Sequence, residues 1–271
     1  MRAPATAKLN LALVVGPTRA DGKHEVATVL QRLDLGDRVA ITSAPALTVD
    51  GFVGDTLVRR ALEELAAAAG VEPGWRATIT KRIPVAAGLG GGSSDAATAL
   101  RLANETLERP LAAEELSRLA AALGADVPFF LTSGPQLGRG DGSELDPLDL
   151  PQDYWVVLVL PHDVEKGSTA AVYESFDERD GAAGWDERRA ALDAALASVA
   201  RPRDLGALPR NDLASSPLAA ELAGLGAFRA DVTGAGPVVY GLFQHRRHAE
   251  AARRALAPAG RTWLTVPSWY G

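Results

Sequence analysis

Pro84-Val-Ala-Ala-Gly-Leu-Gly-Gly-Gly-Ser-Ser-Asp-Ala-Ala-Thr-Ala-Leu100 decides how this chain is read, because no packed core asks for Gly88, Gly90, Gly91 and Gly92 followed by Ser93, Ser94 and Asp95. Glycine takes positive φ at little cost and lets a backbone come close to a ligand, so successive N–H groups can converge on one anion. Ser93 or Ser94 is expected to cap a helix that runs from Asp95 through Ala96, Ala97, Ala99, Leu100, Leu102 and Ala103. The first-turn N–H groups of such a helix have no internal partner, and a phosphate supplies one. A Gly-Ser linker has a similar composition, but linkers do not open into an alanine-rich helix directly behind an apolar PVAAGL. Spacing excludes two common glycine loops. The chain has no GxxxxGK[ST], and Gly88 and Gly90 would need a glycine at position 93, where Ser93 stands.

Around this loop, 271 residues at 47% hydrophobic are enough to bury one large core or two modest ones. Two domains are expected, residues 1–150 and 151–271, meeting in the proline-rich Asp146-Pro-Leu-Asp-Leu-Pro-Gln-Asp153. A net charge of −6 argues against a nucleic-acid or anionic-membrane partner, so a small-molecule ligand with a locally basic site is expected. Without cysteine there is neither a disulfide framework nor a thiolate metal site. The N-terminus lacks the pattern of a cleaved leader and no run of 18 apolar residues occurs, which leads to the expectation of a cytoplasmic protein. Arginine outnumbers lysine 24 to four, which draws attention to Lys8, Lys23, Lys81 and Lys166.

Ala7 to Val14 alternates as a half-buried strand, with Leu9, Leu11 and Leu13 on one face and Lys8 and Asn10 on the other. Two residues at about 3.3 Å each separate the ammonium and the amide by about 7 Å along the strand. An exposed polar face and a binding face both fit this pattern. Arg19-Ala-Asp-Gly-Lys-His-Glu25 turns at Asp21-Gly22 into Val26 to Leu33 and then Val39 and Ile41. A helix is predicted over 55–69, stopped by Gly70, then a strand over 75–83 and a helix over 111–123, ended by Gly124. In Ala125-Asp-Val-Pro-Phe-Phe-Leu131, Asp126 either caps a turn or offers a carboxylate, and Gln136 to Gly142 reads as a strand end and turn.

The second half reads as a strand (155–160), helices (168–176, 185–199 and 214–225), two strands (228–232 and 238–243), a helix (245–256) and a strand (262–266). Stripped of its extra helices, that is close to β-α-β-β-α-β. Thr233-Gly-Ala-Gly-Pro237 sits between the two middle strands as a tight turn, and Asn211-Asp212 reads as a helix start. Trp263 and Trp269 read as packing residues.

The seventeen residues from Pro84 to Leu100 resemble the phosphate-binding loop of the GHMP kinases, small-molecule kinases named for galactose, homoserine, mevalonate and phosphomevalonate. The resemblance extends from about Ala5 to Phe243 and includes three motifs in order: AKLNL, the glycine loop and TGAGP. It implies ATP-dependent phosphorylation of a hydroxyl on a two-domain α+β fold, the N-terminal part like a domain of ribosomal protein S5 and the C-terminal part ferredoxin-like. On that basis Pro84, Val85, Ala86, Ala87, Gly88, Leu89, Gly90, Gly91, Gly92, Ser93 and Ser94, with Lys81, would hold ATP, although an exposed strand end equally explains Lys81. Lys8 matches a catalytic lysine and Asp126, in LGADVPFF, a catalytic aspartate, with Mg²⁺ as cofactor and no residue set singled out to ligate it.

RADGKHEVATVLQRLDLGD is similar to the segment that cradles a cytosine in the branch whose acceptor carries cytidine diphosphate. This implies substrate contacts from Asn10, Lys23, His24 and Tyr173, and from Thr233 and Gly234 in the third motif. Lys23 stands where that branch usually stacks a tyrosine on the base, and an ammonium offers no π face; Tyr173 matches a second aromatic position that partly compensates. Thr56 stands where the family often has an asparagine near the adenine. Asn211-Asp212 and Gly138-Arg-Gly140 match family features to which the sequence assigns no role. Another kinase of the family, acting on homoserine, mevalonate or a sugar, and a catalytically idle nucleotide-binding protein remain alternatives. An RNA-binding module on the ribosomal-protein-like fold is disfavoured by the acidic balance.

Overall fold

A computed structural model of the chain describes residues 1–52, 54, 56–162 and 168–268. Lys166 and Trp269 therefore lie outside the described residues, as does Asp55, the expected first residue of the first helix. The chain starts with two long strands, β1 (Arg2–Thr18) and β2 (His24–Ser43), which pair antiparallel across the turn at Asp21-Gly22. They are followed by β3 (Thr48–Asp50), α1 (Leu57–Ala69), β4 (Trp75–Thr80), α2 (Gly91–Asn104) and α3 (Ala113–Leu123). A short 3-10 turn, Pro128–Leu131, leads into the hairpin of β5 (Gln136–Arg139) and β6 (Glu144–Pro147). β2 binds β1 along one edge and, on the other, β4 through residues 38–43 and β5 through residues 28–30. This makes a six-stranded sheet in which β3 and β4 alone are parallel among the described pairs.

The second half consists of β7 (Trp155–Pro161), α4 (Thr169–Glu178), α5 (Trp185–Ser198), a 3-10 turn at Pro202–Ala207, α6 (Pro217–Gly224), β8 (Arg229–Val232), β9 (Val239–Phe243), α7 (Arg246–Ala255) and β10 (Gly260–Thr265). Its four strands order as β10-β7-β9-β8, all antiparallel. With helices between the first two strands and between the last two, this is the ferredoxin-like arrangement expected from the sequence.

Local sequence accounts for most of these elements. In α1 the apolar stripe Val58, Ala61, Leu62, Leu65 and Ala66 is buried, and Gly70 closes the helix in the left-handed conformation (φ 66°). In β4, Trp75, Ala77 and Ile79 point inward while the alternate residues are exposed. The predicted strand over 75–83 stops early because Asp37 Oδ1 takes the N–H groups of Arg82 and Ile83, at 2.5 and 2.8 Å, and draws the chain out of the sheet. α6 starts at Pro217, with Ser216 as its cap, rather than at 214, because proline favours the first helical position. α2 starts at Gly91, its cap being Gly90 in the left-handed conformation; Ser93 and Ser94 lie inside the first turn and do not cap it.

The expected half-buried β1 is buried on both faces from Ala5 to Gly16. A register shift between Asn10 and Ala12 breaks the alternation, so Leu9, Leu11, Ala12 and Val14 share one core while Leu13 and Val15 enter another, around Phe176. The first of these cores is formed by both halves of the chain. Ala7, Leu9 and Leu11 pack with Val156 and Leu158 of β7, Leu192 of α5 and Tyr240 of β9. α1, α2 and α3 cover the other face of the first sheet, and α6 and α7 cover the far face of the second. Among the described residues no helix is long and apolar enough to cross a membrane.

A core that belongs to both halves makes them unfold together. Leu158→Ala, at a fully buried position, is expected to cost about 2–5 kcal/mol. In guanidinium titrations followed by tryptophan fluorescence and circular dichroism it should shift one shared transition. Two separated transitions in the parent chain would contradict the shared core.

Candidate active site

The polar face of β1 opens on a cavity of about 680 Å³ between the glycine loop, the hairpin turns and α4. Lys8 and Asn10 reach it from β1, Lys23, His24 and Thr28 from the start of β2, Asp126 from the segment before the 3-10 turn, and Tyr173 and Asp177 from α4. Ala86, Gly88, Gly90 and Ser93 line it from the loop, and Gly234 from the β8–β9 turn. Although Lys8 and Asn10 lie two residues apart, their side chains converge: Lys8 Nζ donates to Asn10 Oδ1 at 2.7 Å and lies 3.4 Å from Asp126 Oδ2. Lys8 is 5% exposed and Asp126 41%, so a buried cation is presented beside a solvated carboxylate. Asn10 Nδ2 donates to Thr28 Oγ1 at 2.8 Å, and the Asn10 N–H donates to Thr233 Oγ1 at 3.1 Å. Thr233 thus stands behind Asn10 rather than on the cavity wall.

The loop is anchored and opened by alternate residues. Ala87 and Leu89 are buried in the shared core, and the Lys8 N–H donates to the Leu89 carbonyl at 3.0 Å. Between them Gly88 takes φ 80° and lies so close to the β8–β9 turn that a Cβ would come within 2.5 Å of the Thr233 carbonyl. Gly90, at φ 69°, has Lys8 Cγ and Phe130 Cζ each 2.9 Å from where a Cβ would stand. Glycine is required at both positions by conformation and by space together. Val85 points to solvent, Gly91 packs on Ile83 beside Lys81, and Pro84 and Gly92 are also off the cavity wall. Ser94 is buried, and its hydroxyl has no hydrogen-bond partner.

Lys81 is also off the cavity. Its ammonium is held by Asp37 and, at 2.7 Å, by Asp95, both carboxylates being fully buried. Burial alone would lower the lysine pKa, but the hydrogen bonds and charges of the two aspartates outweigh it and raise it above the ordinary 10.5. The cluster ties β2, the end of β4 and the first turn of α2 together directly beneath the loop. On the catalytic side Arg32, opposite Lys8 in the β1–β2 register, donates to the Phe129 carbonyl at 2.7 Å and to that of Thr132. It thereby holds the 3-10 turn that follows Asp126. Burial, with Arg101 nearby, brings its pKa down to about 10.

At the other end, His24 lies under Tyr173, ring centroids 4.8 Å apart, with the edge of Phe176 at 5.8 Å. Burial, with the charge of Asp126, pushes the Tyr173 hydroxyl up to about 12, so the ring bridges from His24 toward the Lys8–Asp126 pair as a neutral phenol. Lys23 does not stack on anything. It bridges to Asp141 Oδ2 of the β5–β6 turn at 2.5 Å, while Ser143 donates to Asp141 Oδ1 from its N–H and its hydroxyl. Burial works against ionisation of Asp141, but these bonds bring its pKa down to about 2.

Sequence reading missed Asp37, Asp95, Asp141 and Asp177 as partners of the singled-out lysines and histidine, since nothing local pairs an aspartate with a residue 44 to 153 positions away. Asn211-Asp212 is more than a helix start. Asn211 Nδ2 donates to the Gly234 carbonyl at 2.7 Å, and Asp212 accepts from the Val15 N–H and from Arg188. Its polar character ahead of a glycine turn was the available signal. Among the described residues no cluster of three acidic or histidine side chains is arranged for a metal.

A cation–carboxylate pair facing a glycine loop at a helix N-terminus, with an aromatic and histidine recess beyond, suits transfer of a phosphoryl group to a bound alcohol. Residues 56–134 match the model of the GHMP kinases N terminal domain, and residues 212–261 that of the GHMP kinases C terminal. The chain belongs to the GHMP kinase family. Within it, the relatives are 4-diphosphocytidyl-2-C-methyl-D-erythritol kinases. The chain is 40% identical over 269 residues to that of Anaeromyxobacter sp. (strain Fw109-5), covering 93% of this chain and 85% of the relative. It is 36% identical over 274 residues to that of Gloeobacter violaceus, covering 95% and 90%. The crystal structure of a 4-(cytidine 5'-diphospho)-2C-methyl-D-erythritol kinase superposes with a TM-score of 0.80 at 32% identity, over 99% of each chain.

Lys81→Met strands two buried carboxylates and is expected to cost about 3–5 kcal/mol in urea unfolding. Because the folded protein holds the Lys81 proton more tightly than the unfolded chain, this stabilisation is complete below pH 10.5 and is lost as pH rises through the higher folded value. The difference between parent and variant should therefore persist at neutral pH and shrink only in strong alkali. A cost under about 1 kcal/mol would contradict the clamp.

Proposed function

We propose that this protein transfers the γ-phosphoryl group of ATP to the 2-hydroxyl of 4-diphosphocytidyl-2-C-methyl-D-erythritol, a step of the non-mevalonate route to isoprenoid precursors, and does so in the cytoplasm. The observation that carries the reading is the Lys8–Asp126 pair, 3.4 Å apart, on a cavity that joins the glycine loop to the His24–Tyr173 recess. Backbone N–H groups around Gly88, Gly90 and the start of α2 hold the ATP phosphates, and the unpartnered Ser94 hydroxyl and the cavity-lining Ser93 supply further polar contacts. Asp126 accepts the proton of the acceptor hydroxyl as the new O–P bond forms and the bond to ADP breaks. Lys8, fixed by Asn10, stabilises charge on the reacting oxygens. Asn10, His24 and Tyr173 position the cytidylylated alcohol, and Lys23 lies at the rim of the recess. Lys81 acts on ATP binding through the loop it supports.

Magnesium needs only one or two protein ligands when phosphates and water complete its shell, and the half-solvated Asp126 with the Ser93 hydroxyl fits that demand. When bound it neutralises charge on the phosphate oxygens. The chain divides at about residue 150, between β6 and β7, into an N-terminal ATP-binding domain, 1–150, and a C-terminal domain, 151–271, that closes the substrate side.

ADP release, measured with ATP and Mg²⁺, is expected with the cytidylylated substrate and not with the same alcohol phosphate lacking CMP. Turnover of homoserine or mevalonate instead would transfer the reading to another branch of the family. Asp126→Asn should lower kcat by about 100-fold or more with the fold intact by circular dichroism, the scale of losing a general base. Near-parental turnover would remove Asp126 from its role.

A further inference from the structure

One face of α4 is wrapped around His24. Tyr173, Phe176 and Asp177 stand at i, i+3 and i+4 and so share that face. Tyr173 covers the imidazole ring, Phe176 meets it edge-on, and Asp177 Oδ1 lies 2.7 Å from Nε2. Phe176, 1% exposed in the small core with Leu13, Val15 and Val26, pins this part of α4 in place, so the carboxylate is presented from a fixed position. The Thr18 hydroxyl is the other polar neighbour of Nε2, at 3.4 Å. Among the described residues no group bonds Nδ1, and His24 lines the cavity.

A carboxylate can only accept, so the nitrogen it faces must carry the proton, and in a neutral imidazole the other nitrogen is then an acceptor. We infer that Asp177 is a positioning residue that holds His24 with its proton on Nε2 and its Nδ1 lone pair open to the cavity, and that this makes the recess select a pyrimidine bearing an exocyclic amine over one bearing a carbonyl there. The amino group of cytosine donates to Nδ1. Uracil presents a carbonyl oxygen at the same position, so two lone pairs face each other and a buried polar group is left unpaired. The inference rests on the proposed reading of His24 as the base-recognising residue, and it concerns binding, which can be measured apart from phosphoryl transfer.

The test uses the intact protein at pH 8, where an imidazole is neutral, with CDP and UDP as probes in calorimetry and with ¹⁵N-labelled histidine in NMR. The expected result is binding of CDP at least about 100-fold tighter than UDP, with His24 Nδ1 showing an unprotonated nitrogen. Asp177→Ala, at a half-exposed position that leaves Phe176 in its core, should cut the preference to under about 10-fold and mix the two tautomers. Asp177→Asn keeps an acceptor oxygen and should retain most of the preference, which a merely structural role of the side chain would not predict. An unchanged preference in Asp177→Ala, equal binding of CDP and UDP by the parent, or a protonated Nδ1 in the parent would each overturn the inference. Equal binding alongside turnover of the cytidylylated substrate would sink this inference alone, whereas a tautomer-dependent CDP preference without turnover would sink the kinase assignment alone.

Discussion

Burying β1 on both faces forces the ammonium of Lys8 to find partners inside the protein. An unpaired buried cation is too costly to keep, and the side chain has neither bulk water nor a free surface to reach. Its partners are the Asn10 amide and the Asp126 carboxylate, and each is fixed by a different part of the chain. Asn10 is held by Thr28 of β2 and Thr233 of the β8–β9 turn. The segment carrying Asp126 is held through Arg32, whose guanidinium takes the carbonyls of the turn that follows it. Satisfying one charge thus assembles residues 8, 10, 28, 32, 126 and 233 at a single point, where the phosphoryl-transfer chemistry is placed.

The same logic organises the rest of the cavity. Lysine and histidine side chains around it are aimed by aspartates remote in sequence: Lys81 by Asp37 and Asp95, Lys23 by Asp141, His24 by Asp177. Only the first of these sits away from the cavity, and it stabilises the loop from below. Lys23 is different in kind. With its ammonium committed to Asp141, it closes the gap between the two hairpin turns instead of covering a base, and the aromatic surface of the recess comes from Tyr173.

The glycine loop shows how two requirements divide one stretch of chain. Ala87 and Leu89 point into the core and make the loop rigid, while Gly88 and Gly90 expose backbone to the cavity under conformations and clearances that no other residue satisfies. Preorganised N–H groups of this kind carry much of the stabilisation in phosphoryl transfer, because they need no reorganisation when charge develops.

Local chemistry made much of this legible without coordinates. The glycine-serine stretch declared an anion site, the periodicity of Leu57 to Ala69 and of Trp75 to Ile79 declared a helix and a strand, and the order of elements after Trp155 declared the ferredoxin-like half. These are properties of neighbouring residues, and backbone sterics and apolar spacing act over a few positions. Tertiary structure decided what depends on distant partners. It placed Gly90 rather than a serine at the helix cap, shifted the register of β1 after Asn10, buried that strand on its second face against β7 and β9, and paired each functional cation with its aspartate. Electrostatic pairing and core sharing are set by proximity in space, and a residue's own neighbours in the chain carry no record of which aspartate, a hundred positions on, will come to lie beside it.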